Sequence, residues 1–384
     1  MAQRELSRAG RVLAGLLESP GATRPQLCQA AGLSPAAMQG VVDRLRQGGA
    51  IQAQGFSPSS GGRRAQRYGI CPQVGRVAGL SLDKEGVSAA LYDGQMNRLA
   101  EVHIPFDPDG SGPEAGLAAL AGAVEELIAL AGPGAPLLCA GVALEGAVEA
   151  GRVAELEGAP LWKGFPLELR LSQALGTGVS VSRGSWMALR RLRAEGQVSK
   201  PQCAALLRVG ERVVEGALMA GGQVFQGGHG HPGALGHLTV RRDGIPCPCG
   251  NTGCLNLYCS QRGMTRQYAA QTGKRCASVG ELFTKMDQGD QAAIRTVSQA
   301  LGYLTEALCA LALAWDPLEI LVDCPYLARR QALLFTMIDA FYARSAYTRA
   351  EQAQVRLVQP PPLPLAAAAW ALAVHLPRDP RWRD

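Results

Sequence analysis

Four residues of the type that ligate metals fall between positions 237 and 254: His237, Cys247, Cys249 and Cys254, with Gly250 and Gly253 among the thiols and Pro246 and Pro248 around the first. Three thiolates and an imidazole suit a tetrahedral zinc. The glycines let the backbone turn tightly enough for the thiols to converge, and the prolines hold it extended between turns. With four protein ligands no position remains for a substrate water, so the expected cofactor is a structural Zn2+ that holds a loop rather than one that does chemistry. Such a closure constrains the chain before any helix or strand is considered. His229, His231 and Cys259 lie near enough to compete, and spacing alone leaves the choice of histidine open. A reduced cysteine is otherwise a small, inert hydrophobe.

The charge is spread unevenly. Of 38 Lys+Arg and 32 Asp+Glu, nine arginines and three acids fall in residues 1–70, so the remainder is balanced at 29 of each. A positive first segment on a neutral body is the asymmetry expected of a polyanion-binding domain. Within it, Leu6, Val12, Leu13, Leu16 and Leu17 lie at helical spacing, and Ser19-Pro20-Gly21 ends that helix. Thr23 with Gln26 reads as a capping box opening a second helix that stops at Gly32. Ser34 and Pro35 then start a third, in which Met38, Val41, Val42 and Leu45 share one face. Two short helices joined at Gly32-Leu33, followed by strands 50–54 and 64–70 around a Ser/Gly-rich tip, predict a winged helix-turn-helix. Double-stranded DNA is the expected partner. The exposed side of the third helix offers Ser34 and Gln39 but also Asp43, a thin base-reading face, so affinity is expected to be largely electrostatic and steeply salt-dependent.

His237, Cys247, Cys249, Gly250, Gly253 and Cys254 together resemble the zinc signature of the ROK family, which groups repressors, sugar kinases and uncharacterised reading frames. The order of the first seventy residues, with Gly61-Gly62-Arg63-Arg64 at the wing, is similar to that of ROK repressors. By that resemblance Arg63 and Arg64 would reach backbone or minor groove, and Arg24 and Arg44 phosphates. The resemblance implies an α/β body of two actin/hexokinase-like (ribonuclease H-like) lobes. The expected organisation is a winged helix-turn-helix over 1–70, a first lobe over 71–200, and a second lobe over 201–384 carrying the loop 237–254. In both lobes a hairpin opens a series of strands and helices, which suggests duplication. Pro360-Pro361-Pro362 reads as a stiff link into a last helix.

Phosphoryl transfer in this family needs glycine turns for phosphate, an Asp as base and acidic groups on the sugar. The corresponding stretches are Asp83-Lys84-Glu85, Gly210-Glu211-Arg212-Val213-Val214 and Ser182-Arg183-Gly184-Ser185. Ala234 and Asn256 stand where sugar-binding members carry Glu, and mark where an effector cleft would lie. The expectation is a non-enzymatic, cytoplasmic regulator, a repressor by resemblance, forming a homodimer or homotetramer, with a small-molecule effector, sugar-like or other, left open. Its rivals are a sugar kinase with an appended DNA-binding domain and a protein-interaction module. No membrane insertion is expected, because the apolar runs 307–315 and 363–376 are too short for a span.

Overall fold

The computed structural model describes residues 6–58, 64–83, 86–156, 159–228, 230–344 and 353–382. Three helices open the chain: α1 (Arg8–Glu18), α2 (Arg24–Ala31) and α3 (Pro35–Gln47). Ser7 caps α1 by accepting from the Gly10 amide at 3.0 Å, and Ser34 caps α3 by accepting from Ala37 N at 3.3 Å. At α2 the Thr23 amide donates to Gln26 Oε1 at 2.8 Å. Strands β1 (Ile51–Phe56) and β2 (Gln66–Ile70) pair antiparallel, with a bulge between Ala53 and Phe56. Val12, Leu13, Leu16, Leu27, Met38, Leu45 and Tyr68 form the buried centre. The expected wing tip, with Arg63, lies outside the described residues.

The first sheet follows: β3 (Arg76–Asp83), β4 (Gly86–Tyr92), β5 (Arg98–Pro105), α4 (Pro113–Ala131) and β6 (Leu137–Leu144). β7 (Gly146–Glu149) and β8 (Arg152–Leu156) form a separate pair, and α5 (Leu167–Leu175), β9 (Gly178–Arg183) and α6 (Gly184–Ala194) complete the region. The sheet order is β5-β4-β3-β6-β9, antiparallel through β3 and parallel beyond it. Ala78, Leu80 and Leu82 of β3 pack with Leu120, Val124 and Leu127 of α4, as the two-residue period of a strand requires.

The second sheet is built from β10 (Cys203–Val209), β11 (Val214–Ala220) and β12 (Gln223–Val224). After the cysteine loop come α7 (Asn256–Cys259), α8 (Gln261–Thr272), α9 (Val279–Asp287), α10 (Gln291–Trp315), β13 (Glu319–Asp323), α11 (Pro325–Ala328), α12 (Gln331–Ala343) and β14 (Gln354–Leu357). Its order, β12-β11-β10-β13-β14, repeats that of the first sheet strand for strand. This repeat is the structural form of the duplication suggested by the paired hairpins. Asp290 caps α10 by accepting from the Ala292 and Ala293 amides. At 25 residues α10 has the length and apolarity of a membrane span, yet Leu304, Leu308 and Leu311 lie in the core with Met264 and Phe341.

The last helix, α13 (Leu363–His375), does not stay with the second sheet. The chain divides into unit 1, Met1–Leu144, Val148–Glu195 and Pro361–Asp384, and unit 2, Glu145–Ala147 and Gly196–Pro360. The winged helix and first lobe fall within one compact unit, and 361–384 packs with them rather than with 201–360. The reason is packing. Gly79 of β3 and Gly141 of β6 leave no side chain under α13, and a Cβ at either would overlap the Pro364 or Ala367 carbonyl. Ala368, Ala371, Leu372 and Leu376 then join the winged-helix centre in one hydrophobic cluster.

Candidate functional site

The loop after β12 is held by backbone hydrogen bonds rather than by a helix. Val240 N donates to Gly253 O at 2.9 Å, Leu255 N to Leu238 O at 2.9 Å, and Cys247 N to Asn251 O at 2.7 Å. Thr239 pairs with Cys254 and Pro246 with Thr252 as antiparallel bridges. Gly253 has φ 69° and a Cβ there would overlap the Arg241 carbonyl, so only glycine closes this turn. Buried Tyr258 supports the loop from α7, its hydroxyl accepting from Ile245 N at 3.0 Å.

This framework brings His237, Cys247, Cys249 and Cys254 together, with one ligand atom from each within 4.8 Å of all the others. Cys247 Sγ is 3.8 Å from His237 Nδ1, and Cys249 Sγ is 3.7 Å from Cys254 Sγ. The edge of a tetrahedron with metal–sulfur bonds of about 2.3 Å is roughly 3.8 Å, so these separations fit a tetrahedral ion. Burial pushes the thiols of Cys247 and Cys254 up. At Cys249 burial acts the same way, but hydrogen bonds from the Asn251 backbone and the neighbouring thiols outweigh it and the thiol moves down. A divalent cation would stabilise all three thiolates. Of the rival ligands, Cys259 is buried in α7 with Sγ on the Ala300 carbonyl, His231 is exposed outside the cluster, and His229 lies outside the described residues.

The predicted DNA-facing residues divide. Arg24 and exposed Arg64 line one shallow concavity beside Phe56 and Tyr68, with Arg24 Nη2 donating to Tyr68 Oη at 3.1 Å. Ser34, Gln39 and Arg44 are exposed on α3, outside that concavity. The Gln39 amide donates to Asp43 Oδ2 at 2.6 Å, which occupies the group that would read a base. Phe56, 59% exposed on the wing, was not singled out by sequence reasoning. A large aromatic directly after Gln52-Ala53-Gln54-Gly55, a run without large apolar residues, was the available signal.

Of the stretches that correspond to kinase elements, Lys84 and Glu85 lie outside the described residues, and the other two make the following contacts. Gly210 N donates to Val213 O at 2.8 Å, closing the β10–β11 turn. Asn256 is buried, its Oδ1 accepting from Val214 N at 2.6 Å, whereas Ala234 is exposed. In unit 1, buried Arg183 ends β9 with its guanidinium 5.9 Å from the Trp186 ring.

Unit 2 also holds a buried ion cluster: Arg208 Nε lies 3.1 Å from Asp323 Oδ2 and Nη2 lies 3.7 Å from Glu145 Oε1. Burial pushes the Asp323 carboxyl up, and the Arg208 charge only partly opposes this. An Arg208→Met variant leaves these carboxylates buried without their cation, and should lose about 3–5 kcal/mol in urea unfolding at neutral pH. A carboxyl whose folded pKa is raised stabilises below its unfolded pKa and loses that contribution as pH rises through the folded value. The deficit of the variant should therefore shrink as pH falls and Asp323 takes up a proton. A deficit independent of pH would mean that the charges are not what the substitution disturbs.

Residues 78–361 match the ROK family. A glucokinase of Halalkalibacterium halodurans is 27% identical over 210 residues, covering 51% of this chain and 63% of the relative. A xylose repressor of Caldicellulosiruptor bescii is 24% identical over 256 residues, covering 66% of this chain and 63% of the relative. The chain thus spans less than two thirds of the length of these curated relatives. Among solved structures, a ROK family transcriptional regulator described as a homologue of the E. coli MLC protein superposes with a TM-score of 0.78 at 20% identity. That match covers 98% of this chain and 97% of the other, and shows a shared fold.

Proposed function

The chain belongs to the ROK family, and from that premise we propose that it is a DNA-binding transcriptional regulator, a repressor by kinship, whose kinase-like body no longer transfers phosphate. The observation that carries this is the basic helix-turn-helix at the head of the chain, with α3 exposed and Arg24 and Arg64 beside it in one concavity. The non-catalytic part is supported by Ser182-Arg183 where a base should stand, by Ala234 and Asn256 in place of sugar-binding acids, and by the Gly210 amide spent on its own turn. In the loop 237–254 the donor set favours zinc, with four protein ligands serving to hold the loop. A homodimer or homotetramer would present two winged helices to two half-sites. An effector in the body would act by preferring one spacing of those half-sites.

Genome-wide footprinting of the protein, repeated with Arg63→Ala and Arg64→Ala together, tests the proposal. Discrete peaks sharing a two-fold motif and vanishing in the double variant are expected; diffuse binding in the wild type would exclude a site-specific regulator. On an isolated site, affinity should fall steeply with salt, and Arg44→Ala with Arg64→Ala should reduce the slope of log K against log salt by about 2. An unchanged slope, read by fluorescence anisotropy, would remove these arginines from the phosphate contacts. The glucokinase likeness keeps a kinase as the second reading. ATP-dependent turnover of a hexose in a coupled assay would favour it.

A further inference from the structure

Unit 1 carries a half-open cavity of about 280 Å³. On one side it is bounded by Leu16 and Leu17 of α1, part of the winged helix, and on the other by Met187 of α6 and by Trp370 and Leu372 of α13, with Met96 from the β4–β5 turn. These six apolar side chains suit an apolar body on that part of the wall. A dry cavity of about 150 Å³ accommodates benzene, so this one has room for a ring or branched chain with a short substituent.

Gln54 and Gln95 add neutral amides to its wall, and the charged groups there are unequal in sign. Arg190, Arg191 and Arg193 line it against Glu18, and Arg191 is tied to Glu195 at 2.8 Å. With that pair discounted, two cations face one anion. Arg190 carries the excess inward: its Nη1 donates to the Ala369 carbonyl at 3.2 Å, and its Cζ lies 5.8 Å from the centroid of the Trp370 ring. Desolvation lowers its hold on the proton by more than Glu18 restores, and Arg193 adds repulsion. A second anion at the guanidinium would offset that desolvation through charge-assisted hydrogen bonds.

We propose that this cavity is a ligand site for a small organic monocarboxylate with an aromatic or branched aliphatic body, the carboxylate on Arg190 and the body against Met187 and Trp370. Because α1 of the winged helix and α6 and α13 of the lobe share its wall, occupancy would bias how the winged helix is held, and so DNA binding. Only that consequence rests on the regulator proposed above; ligand binding itself does not.

The test is isothermal titration of the full chain with phenylacetate, 4-methylpentanoate and the neutral phenylacetamide. At least one carboxylate should bind saturably, and phenylacetamide should bind more weakly than phenylacetate by at least about tenfold. Arg190→Gln should lose the same factor. Ala369→Leu, which fills the cavity while keeping the Ala369 carbonyl position, should abolish binding with an unchanged circular dichroism spectrum, and decides the matter if Arg190→Gln does not fold. No binding by either carboxylate, equal binding of the amide, or undiminished binding to folded Ala369→Leu would overturn the site. Gel shifts on the same samples separate the two ideas: carboxylate binding without DNA binding sinks the regulator alone, and DNA binding without carboxylate binding sinks this site alone.

Discussion

Replacing Cys254 with serine should abolish the zinc binding proposed for the loop 237–254 and unfold that loop. Cys254 is fully buried and lies at the pairing of residues 239 and 254, where the Gly253 carbonyl and the Leu255 amide hold the strand of Val240 and Leu238. Between residues 238 and 254 the loop contains no helix or strand, so its backbone hydrogen bonds, the Tyr258 hydroxyl and the ligands are what oppose its opening. Structural zinc contributes about 10–16 kcal/mol to the folding of zinc-finger peptides. Here part of the order is independent of metal, and a loss on the order of 5 kcal/mol is expected from unit 2, below that peptide range. Metal analysis should fall from one zinc per chain to near none, and chelation of the wild type should reproduce the lowered unfolding midpoint. The exposed Cys249 should give a smaller loss when replaced. A wild-type protein without zinc, or a Cys254→Ser variant that keeps it, would exclude the proposed role.

Much of this arrangement was legible because it is local. The ligand spacing placed the cluster, since a six-residue span from Cys249 to Cys254 can hardly avoid bringing two thiols together once Gly253 turns the chain. Asp316-Pro317 marks where α10 ends, and the short, nearly continuous apolar runs at 77–82 and 137–144 are what strands buried on both faces, β3 and β6, require. Helix α6 was missed because it follows Arg183 directly at Gly184, with no side-chain cap and no loop to announce it. β14, four residues with one buried, carries too little pattern to be seen before its neighbour β13 is known. On the DNA-facing side the composition was readable but the pairing was not. Gln39 and Asp43 are four apart and meet on one helix face, a contact that helical spacing allows without requiring.

The least legible feature is also the one on which unit 1 most depends, and its removal has the second large effect. A chain ending at Pro360 should fail to keep the winged helix and first lobe folded. Sequence pattern announces α13 as a helix, but an alanine-rich helix with apolar residues around most of its circumference carries no address. Its address is written at Gly79 and Gly141, more than two hundred residues earlier, where the missing side chains let it lie directly on β3 and β6. Losing it uncovers that face and opens the cluster joining Leu372 and Leu376 to Val12 and Leu16. At about 1.5–3 kcal/mol for each large apolar side chain returned to water, with alanines adding less, the loss approaches the 5–15 kcal/mol that holds a typical domain together. The truncated protein should show lost helical signal, rapid proteolysis between residues 8 and 195, and no DNA binding. Gly141→Val should fall in the same direction in the full-length chain, because its Cβ meets backbone rather than a side chain that can move aside. Truncated protein that still binds DNA with wild-type affinity would show that the winged helix folds without α13, and that their shared core is only a contact between independent parts.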